Sequence, residues 1–490
     1  MGDAAHTAHF SIGSGTKLAL EDAISLCQHL KDDASLEAAL EAYGEARGVD
    51  VLRIQNAARN STEWFENVAR YASMEPEQFT YSMLTRSQRI SHENLRLRDP
   101  EGIEAFERWF AKQTGMDLAK DQSPPPPMFT PFKLRDLKLK NRVVFSPTLM
   151  YSANDGLVND FHHTHYSARA LGGAALVMAE MTAISPEARV TPGCTGLWND
   201  EQTTAWASIV DSIHQNGARA GIQLGHAGRR GSTQVGWEQV NRPLADNNWP
   251  LVSASAVAYD EHSATPTEIT RAQMDQVRDE FVAATQRAEQ AGFDCIELQA
   301  AHGYLLSSFI SPLTNQRTDD YGGSLENRLK YPLEVFTAMR AVWPQGKPLL
   351  VRISATDWAE GGTTVDEAVE IARLFKAAGA DLVDVSSGEV VSDQQPIYGR
   401  MYQTPFADRV RNEALIPTMA VGTITEADHV NSIIAAGRAD LCALSRGFIA
   451  NPNWPLHEAA KLHYHLEWPA QYQWGQDWLE RQETRPVLQG

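Results

Sequence analysis

Short apolar runs recur through the C-terminal part of the chain, and amphipathic stretches separate them. Runs of this length bounded by turn residues are typical of buried strands, and the stretches between them show helical spacing. The predicted strands are Arg142–Ser146, Ala175–Glu180, Ala220–Leu224, Cys295–Gln299, Leu349–Ile353, Leu382–Ser386, Thr418–Val421 and Leu441–Ser445. Eight such strand–helix units predict an α/β fold, a (β/α)8 TIM barrel, with an open doubly wound sheet as the alternative.

The first 115 residues lack this alternation and are predicted to be mostly helical. Apolar residues of the segment 20–30 fall at helical spacing, and segments 51–70 and 76–96 are also helix-like. Residues 116–127 are predicted to be a proline-rich linker, because the run Pro124–Pro127 favours a stiff polyproline II spacer. The barrel domain is therefore expected to span residues 128–490.

Charge and cysteine usage narrow the class of protein. The formal net charge of −19 argues against nucleic acid and an anionic membrane surface as partners, although a local cluster such as Arg229-Arg230 can still bind an anionic ligand. Four cysteines without a CxxC pair form no disulfide framework. No apolar run approaches the ~20 residues of a membrane span, and the first residues do not resemble a secretory signal. We therefore expect a cytoplasmic protein.

Polar residues cluster where the predicted strands end, and ligands of such barrels bind at that face. The fourth strand ends at Gln299, His302 and Tyr304, and Arg352 lies within the fifth. Loops after the last two strands of a barrel commonly hold a phosphate, and Arg446 there adds a guanidinium suited to it. A phosphate site combined with deeper amide and guanidinium groups favours flavin mononucleotide (FMN). No cluster of carboxylates and histidines at ligand spacing supports a metal site.

Several longer motifs resemble the old yellow enzyme family of FMN-dependent ene reductases, from about Phe129 to Tyr472. They are LKNRVVFSP, GLWNDEQ, GIQLGHAGRR, AAHGYLL and NQRTDDYGGSLENR. The resemblance implies that NAD(P)H reduces FMN and that the reduced flavin transfers hydride to an activated C=C bond. It also implies a homo-oligomer.

The same resemblance assigns roles to individual residues. Pro147, Thr148, Leu149, Met181, Gln223 and Arg352 would surround the isoalloxazine, and Ser387, Gly388, Gly422, Thr423, Ser445 and Arg446 would hold the ribityl phosphate. Gln299 and His302 would bind the substrate carbonyl, Tyr304 would donate the proton, and Tyr151 would contact substrate. Three features depart from the family. Leu149 replaces the usual Cys or Thr, and Gln299 replaces the commoner His. The C-terminal arginine that some members insert into a neighbouring subunit's site is absent after Tyr472, where the sequence reads Gln473-Trp474-Gly475.

The N-terminal sequence GDAAHTAHFSIGSGTKLALEDA resembles the last flavin motif of FAD-dependent aromatic hydroxylases, in which Asp3 would contact the ribityl chain. Residues 1–115 are therefore interpreted as the C-terminal remnant of such a domain. A hydroxylase tail followed by an ene reductase is similar to enzymes acting on 2-aminobenzoyl-CoA or salicylyl-CoA, which suggests an aryl-CoA thioester substrate. A general reductase of small enones and an inactive partner subunit are the alternatives.

Overall fold

The computed structural model describes residues 2–4, 6–33, 35–239 and 241–483, which form two compact units, Met1–Trp109 and Phe110–Gly490. Helices dominate the first unit, as predicted. They are α1 Gly15–Asp32, α2 Leu36–Glu66, α3 Pro76–Thr85, α4 His92–Arg98 and α5 Pro100–Gln113, the last of which runs across the division between the units.

The helix-like segment 76–96 is not one helix. It is interrupted after α3, where Gln88 has a left-handed φ of 56°, and α4 begins anew at a capping box between Ser91 and Asn94. In α1, the carboxylate of Asp22 is fully buried and accepts hydrogen bonds from the Gly2 N–H (2.9 Å) and from Arg47 Nε (3.0 Å). These bonds hold the start of the chain against α1 and α2.

The second unit contains the predicted barrel, which confirms the fold class. Within the described residues, eight parallel strands close in the order β3-β4-β5-β8-β9-β10-β11-β12. Two short pairs, β1–β2 and β6–β7, lie outside the barrel. The strands are β1 Phe132–Leu134, β2 Leu137–Leu139, β3 Val143–Phe145, β4 Leu176–Ala183, β5 Arg219–Gly225, β6 Val252–Ser253, β7 Thr267–Glu268, β8 Cys295–Ala300, β9 Leu349–Ser354, β10 Leu382–Ser386, β11 Thr418–Ala420 and β12 Leu441–Leu444.

Helices follow most of the barrel strands. They are α6 Asp160–Leu171, α7 Asp200–Gln215, α8 Arg271–Gln290, α9 Leu305–Ile310, α10 Leu325–Val342, α11 Val365–Ala377, α12 Thr404–Ala414, α13 Ala427–Ala435, α14 Arg446–Ala450, α15 Trp454–Lys461 and α16 Gln473–Glu483. In the described part of the chain, none of the helices has the length and apolar character that crossing a membrane requires.

The antiparallel hairpin β1–β2 packs into the apolar interior of the barrel. Leu134, Leu137 and Leu139 form one buried cluster with barrel residues near the N-terminal ends of the strands, such as Leu350 and Leu382. Full burial of a leucine side chain contributes roughly 1.5–3 kcal/mol, so the hairpin is a substantial part of the core. It fills the lower end of the barrel and leaves the opposite, C-terminal face for a ligand.

The proline run is packed into the structure and is not a solvent-exposed spacer. Pro124–Pro127 are all buried, and directly after them the Met128 N–H donates to Asn431 Oδ1 of α13 at 2.9 Å. Proline lacks an N–H, so burying four of them leaves fewer backbone donors without partners than burying other residues would.

Candidate functional site

The C-terminal ends of the barrel strands bring the sequence-predicted site residues to one face. The loops after β3 and β12 are joined there, because the Thr148 hydroxyl donates to Ser445 Oγ at 2.8 Å. Ser445 directly precedes α14, and Arg446 at the start of that helix is exposed and forms no ion pair with a described residue. We call the opening formed by the C-terminal ends of the barrel strands the mouth. Next to β12, the mouth therefore offers the free guanidinium of Arg446.

Two predicted glycines lie where a side chain would not fit. Gly388 after β10 and Gly422 after β11 have φ values of 70° and 101°. A Cβ atom at Gly388 would collide with the side-chain amide oxygen of Gln394, and one at Gly422 with the side-chain amide nitrogen of Gln403. Thr423 is also left-handed, with a φ of 50°. Glycine adopts this left-handed backbone without strain, and loops of this kind can turn backbone N–H groups towards an anion.

Ser387 links three loops of the mouth. Its hydroxyl donates to Gln403 Oε1 at 2.6 Å and accepts a hydrogen bond from Trp358 Nε1 at 2.9 Å. The Gln403 amide in turn donates to the Val421 carbonyl at 3.2 Å. Neither Trp358 nor Gln403 was predicted, because both lie in irregular loops without a motif of their own.

Arg352 of β9 is buried, and its terminal guanidinium nitrogens make no hydrogen bond with a described residue. Its Nε lies 3.5 Å from Asp384 Oδ2 of β10. A buried guanidinium needs acceptors for its remaining N–H groups. A flavin ring with electron-rich oxygen and nitrogen atoms supplies such acceptors, so this residue fits FMN.

A pair of buried carboxyl groups lies beside Arg352. Glu297 of β8 and Asp384 are fully buried, and the Gln223 amide donates to Glu297 Oε1 at 2.6 Å. Burial raises the pKa of both groups, and for Glu297 the Asp384 carboxyl raises it further, to well above its usual range. A protonated Glu297 can donate a hydrogen bond to the Asp384 carboxylate. Asp384 can still form an ion pair with Arg352. Glu297 and Asp384 could have been noticed in the sequence, because each is the single acid within an apolar strand.

Gln299 and His302 are the predicted carbonyl-binding pair. Gln299 Nε2 donates to Gln223 Oε1 at 3.1 Å and its Oε1 accepts the Ala301 N–H at 2.8 Å, which leaves one amide N–H for a ligand. His302 Nε2 lies 2.8 Å from Ser386 Oγ. Burial, Arg352 and Arg230 hold the pKa of His302 well below its usual range, so the imidazole is neutral. Ser386 Oγ also lies 3.4 Å from Gln403 Oε1, so its hydroxyl has two possible acceptors. In the tautomer in which this hydroxyl donates to His302 Nε2, the Nδ1–H is the free donor.

Tyr304 and Tyr151 lie together in an apolar part of the mouth. They pack with Met181 and Leu149 in one cluster that also contains Val190, Cys194 and Ala227. Neither hydroxyl hydrogen-bonds a described residue. Burial raises the pKa of both phenols above their ordinary value, so each keeps its proton at neutral pH.

The Arg229-Arg230 pair, which the sequence raised as a possible anion cluster, is bonded to carbonyl groups of neighbouring loops. Arg229 Nη1 donates to the carbonyls of Val257 (3.2 Å) and Ala258 (3.0 Å). Arg230 Nη1 donates to the His302 carbonyl at 2.8 Å, and its guanidinium carbon lies 5.5 Å from the Tyr304 ring centroid. Both arginines therefore fix loops around the substrate side of the mouth. Across the described residues, no group of three or more His, Cys, Asp or Glu side chains could hold a metal ion.

The closed parallel barrel, the loops gathered after β10, β11 and β12, and the buried Arg352 with its free terminal nitrogens are features expected of an FMN-binding barrel oxidoreductase. A family model described as NADH:flavin oxidoreductase / NADH oxidase matches residues 127–466. The NADPH dehydrogenase of Listeria welshimeri is 42% identical over 347 residues, which cover 70% of this chain and 98% of that protein. The NADPH dehydrogenase of Geobacillus thermodenitrificans is 42% identical over 350 residues, covering 71% and 98%.

Solved structures agree with this assignment. A 2-naphthoyl-CoA reductase in complex with 2-naphthoyl-CoA superposes with a TM-score of 0.61 at 25% identity, covering 67% of this chain and 51% of that longer chain. Morphinone reductase superposes with a TM-score of 0.58 at 28% identity, covering 70% and 91%. The chain belongs to the NADH:flavin oxidoreductase / NADH oxidase family, the old yellow enzyme family, and is an FMN-dependent NAD(P)H oxidoreductase.

Proposed function

We propose that this enzyme reduces the activated C=C bond of a conjugated carbonyl compound, either a small enone or a dearomatised aryl-CoA thioester. The observation that carries the proposal is the arrangement of Gln299, His302 and Tyr304 around one apolar mouth. Two neutral hydrogen-bond donors and one unpaired neutral phenol are the groups that such a reduction needs.

The chemistry that FMN would supply here, once bound and reduced by NAD(P)H, is a hydride for the β-carbon of the substrate. The free N–H groups of Gln299 and His302 bind the carbonyl oxygen and stabilise the negative charge that develops on it. Tyr304 donates its proton to the α-carbon and regains one from solvent, so that hydride and proton together saturate the double bond. Arg352 holds the flavin ring, while Ser387, Gly388, Gly422, Thr423, Ser445 and Arg446 hold the ribityl phosphate.

The remaining predicted residues shape the space around the flavin and substrate. Pro147, Thr148 and Leu149 follow β3 at the rim, Met181 lies in the apolar cluster, and Gln223 orients Gln299. Tyr151 lines the substrate side with Tyr304. These roles are proposed from the positions of the residues and from the family resemblance.

The aryl-CoA alternative has two lines of support. One structural neighbour is a 2-naphthoyl-CoA reductase that holds its CoA thioester. The N-terminal unit also has features expected of a hydroxylase remnant: Gly13 is left-handed with a φ of 64°, and Ser14 makes no side-chain cap hydrogen bond at the start of α1. Free N–H groups at a helix start suit a flavin or an anion. The side chain of the predicted ribityl contact, Asp3, lies outside the described residues.

Anaerobic half-reactions test the proposal. The bound flavin should be bleached by NADPH or NADH and then reoxidised by cyclohexenone or by an aryl-CoA ester, with the faster acceptor identifying the substrate class. A flavin that is reduced but reoxidised by neither acceptor would contradict ene reduction. A chain that is not reduced by either nucleotide would favour the inactive partner subunit, in which the N-terminal helices serve assembly.

A further inference from the structure

Glu180 is the single acid of β4, and its role is not explained by the proposed chemistry. Its side chain is fully buried, and its Oε2 accepts the Met150 N–H at 3.1 Å. Its Oε1 accepts the hydroxyl of Tyr166, on α6, at 3.2 Å. Met150 lies between Leu149 and Tyr151, so the carboxyl group holds the backbone of the loop that carries both.

The start of α6 holds the same loop from the other side. Asn159 caps the helix, and its Nδ2 donates to the Ser152 carbonyl at 2.7 Å. His162, the third residue of α6, accepts the Asn159 N–H on Nδ1 at 3.2 Å. This capping box leaves the imidazole proton on Nε2, which lies 3.7 Å from Glu180 Oε1 and has no hydrogen-bond partner among the described residues.

The loop needs such support because its central residue is strained. Tyr151 has a left-handed φ of 48°, which is unfavourable for a residue with a bulky side chain. Backbone strain of this kind persists only where surrounding contacts determine the conformation. The Met150 N–H and the Ser152 carbonyl, on either side of Tyr151, are the two groups held.

We propose that Glu180, His162 and Asn159 form a loop clamp, a set of positioning residues that fixes residues 149–152 and thereby places Leu149 and Tyr151 in the mouth. Placing Tyr151 for substrate binding rests on the proposed function. The clamp itself is independent of which acceptor the enzyme reduces.

Protonation gives the clamp a signature that a purely structural contact would lack. Burial raises the pKa of Glu180 to about 7. The titratable groups that face it are Tyr166 and His162 of α6, Tyr151 of the loop and Cys194 after β4. Burial raises the pKa of the tyrosines and of Cys194, to about 11 for the latter, and lowers that of His162 to about 4. Glu180 is therefore the group of this set that changes charge near neutral pH.

The direction of the effect follows from linkage. When the loop opens, water reaches Glu180 and its pKa returns towards the ordinary value of about 4.3. The closed loop binds the proton more tightly, so closure is strongest below that value and weakens as the pH rises to about 7. Above about pH 7 both states are ionised, and the dependence ends.

Amide hydrogen exchange of residues 146–153 in the FMN-loaded protein tests the clamp directly. After correction for intrinsic rates, opening of the wild-type loop should increase with pH between about 4.5 and 7, by at most roughly tenfold per pH unit. Glu180→Gln, which mimics the protonated acid, should abolish this dependence. Asn159→Ser keeps a helix cap but loses the donor to Ser152, so exchange should be several-fold faster at every pH.

Glu458→Gln is the matched control, since Glu458 is buried and accepts a backbone N–H from Ala427 at 2.9 Å, on α15 away from the loop. It should behave as wild type in this segment. The clamp is wrong if Glu180→Gln retains the wild-type pH dependence, or if Asn159→Ser leaves the exchange unchanged. If Glu180→Gln fails to fold, Asn159→Ser still decides the question, because Asn159 is exposed and its replacement leaves the core intact.

Kinetics separate the clamp from the proposed function. Asn159→Ser should raise the KM for cyclohexenone roughly tenfold, because it releases Ser152 beside Tyr151. Flavin reduction by NADPH should change little, because Glu180 still holds Met150 beside Leu149. A wild-type enzyme without enone reductase activity would overturn the proposed function alone, and the exchange result would still judge the clamp.

Discussion

Tyr304 lies among apolar side chains, with the Arg230 guanidinium 5.5 Å from its ring centroid. Burial raises the pKa of its phenol, while the nearby cation opposes that shift. The group is therefore protonated across the neutral range, as a general acid must be before it acts.

The first prediction concerns this acid. Tyr304→Phe should slow enone reduction by roughly 100-fold or more, the usual size of a lost general acid, and leave flavin reduction by NAD(P)H nearly unchanged. Stopped-flow measurement of both half-reactions checks this. Tyr259→Phe is a suitable control, because the Tyr259 ring centroid lies 4.3 Å from the Arg230 guanidinium but the residue has no proposed proton to donate. Equal slowing of both half-reactions by Tyr304→Phe would indicate a structural role.

Leu149 gives a second prediction at this scale. It is partly buried and packs against the cluster that contains Tyr304, and the family resemblance predicts Cys or Thr at this place. A donor there would bond the flavin C4 carbonyl more strongly when the flavin is reduced. A hydrogen bond of ~1 kcal/mol corresponds to about 20 mV for a two-electron couple. Leu149→Thr should therefore raise the midpoint potential by a few tens of millivolts.

Anaerobic dye titration measures that potential, and reoxidation by the enone should slow in the same variant. Leu149→Met is the apolar control and should leave the potential unchanged. A potential that Leu149→Thr also fails to move would mean that residue 149 does not face the flavin.

At the scale of elements, three neighbouring strands bring a chain of polar groups into an apolar barrel. Gln299 of β8 pairs in register with Arg352 of β9, and Arg352 with Asp384 of β10. Residues at alternate positions of a strand share a face, so Glu297 lies on the same face as Gln299. Buried acids of this kind are costly unless they share protons or face a cation.

This arrangement predicts how stability depends on pH. The folded-state pKa of Glu297 is raised, so its contribution to stability is present at low pH and is lost as the pH rises through that raised pKa. Glu297→Gln keeps the acceptor for Gln223 and a donor towards Asp384, and it cannot ionise. Urea unfolding between about pH 5 and pH 9 should therefore show a smaller loss of stability in Glu297→Gln than in wild type.

Asp384→Asn provides the contrast, because it removes the counter-charge of a buried arginine. Breaking a buried pair by removing one partner costs ~3–5 kcal/mol, so this variant should be destabilised at every pH. If the free energies of unfolding of wild type and Glu297→Gln change with pH in parallel, Glu297 does not retain its proton in the folded state.

At the scale of the whole molecule, the chain combines a complete FMN barrel with a separate helical unit. The relatives from Listeria and Geobacillus align over 98% of their own length with about 70% of this chain, and the family model matches residues 127–466. That part therefore suffices as a protein in those organisms. The N-terminal unit is an addition whose proposed origin is a hydroxylase, and homo-oligomer formation stays a prediction.

Flavin content tests this division of the molecule. The purified full chain should contain about one FMN and little FAD, because the phosphate cradle lies in the barrel. Residues 116–490, which begin after α5, should when produced alone retain the FMN and its reduction by NADPH. Heat-released flavin separated by chromatography gives both ratios. Stoichiometric FAD in the full chain, lost on truncation, would contradict the interpretation of residues 1–115 as a remnant.

Much of the fold was readable from the sequence for a simple physical reason. Strands of a parallel barrel are covered on both faces, so they appear as apolar runs, and the eight predicted runs coincide with the eight barrel strands. Residues at the strand ends could be named because parallel strands end at one face. The sequence was less informative about where helices end. The segment 76–96 was predicted to be helix-like, but the helix is interrupted at Gln88, which has a left-handed backbone.

The sequence by itself determined the barrel, the FMN family and the residues at the mouth, since each depends on local pattern or motif. Only the tertiary structure decided what the charged residues do. Arg229 is used by backbone carbonyls of a distant loop, and Glu180, Glu297 and Asp384, each a lone acid in an apolar strand, acquire partners through strand register and helix packing. Such partners are far apart in the chain, and a pKa depends on which of them folding brings within a few ångströms.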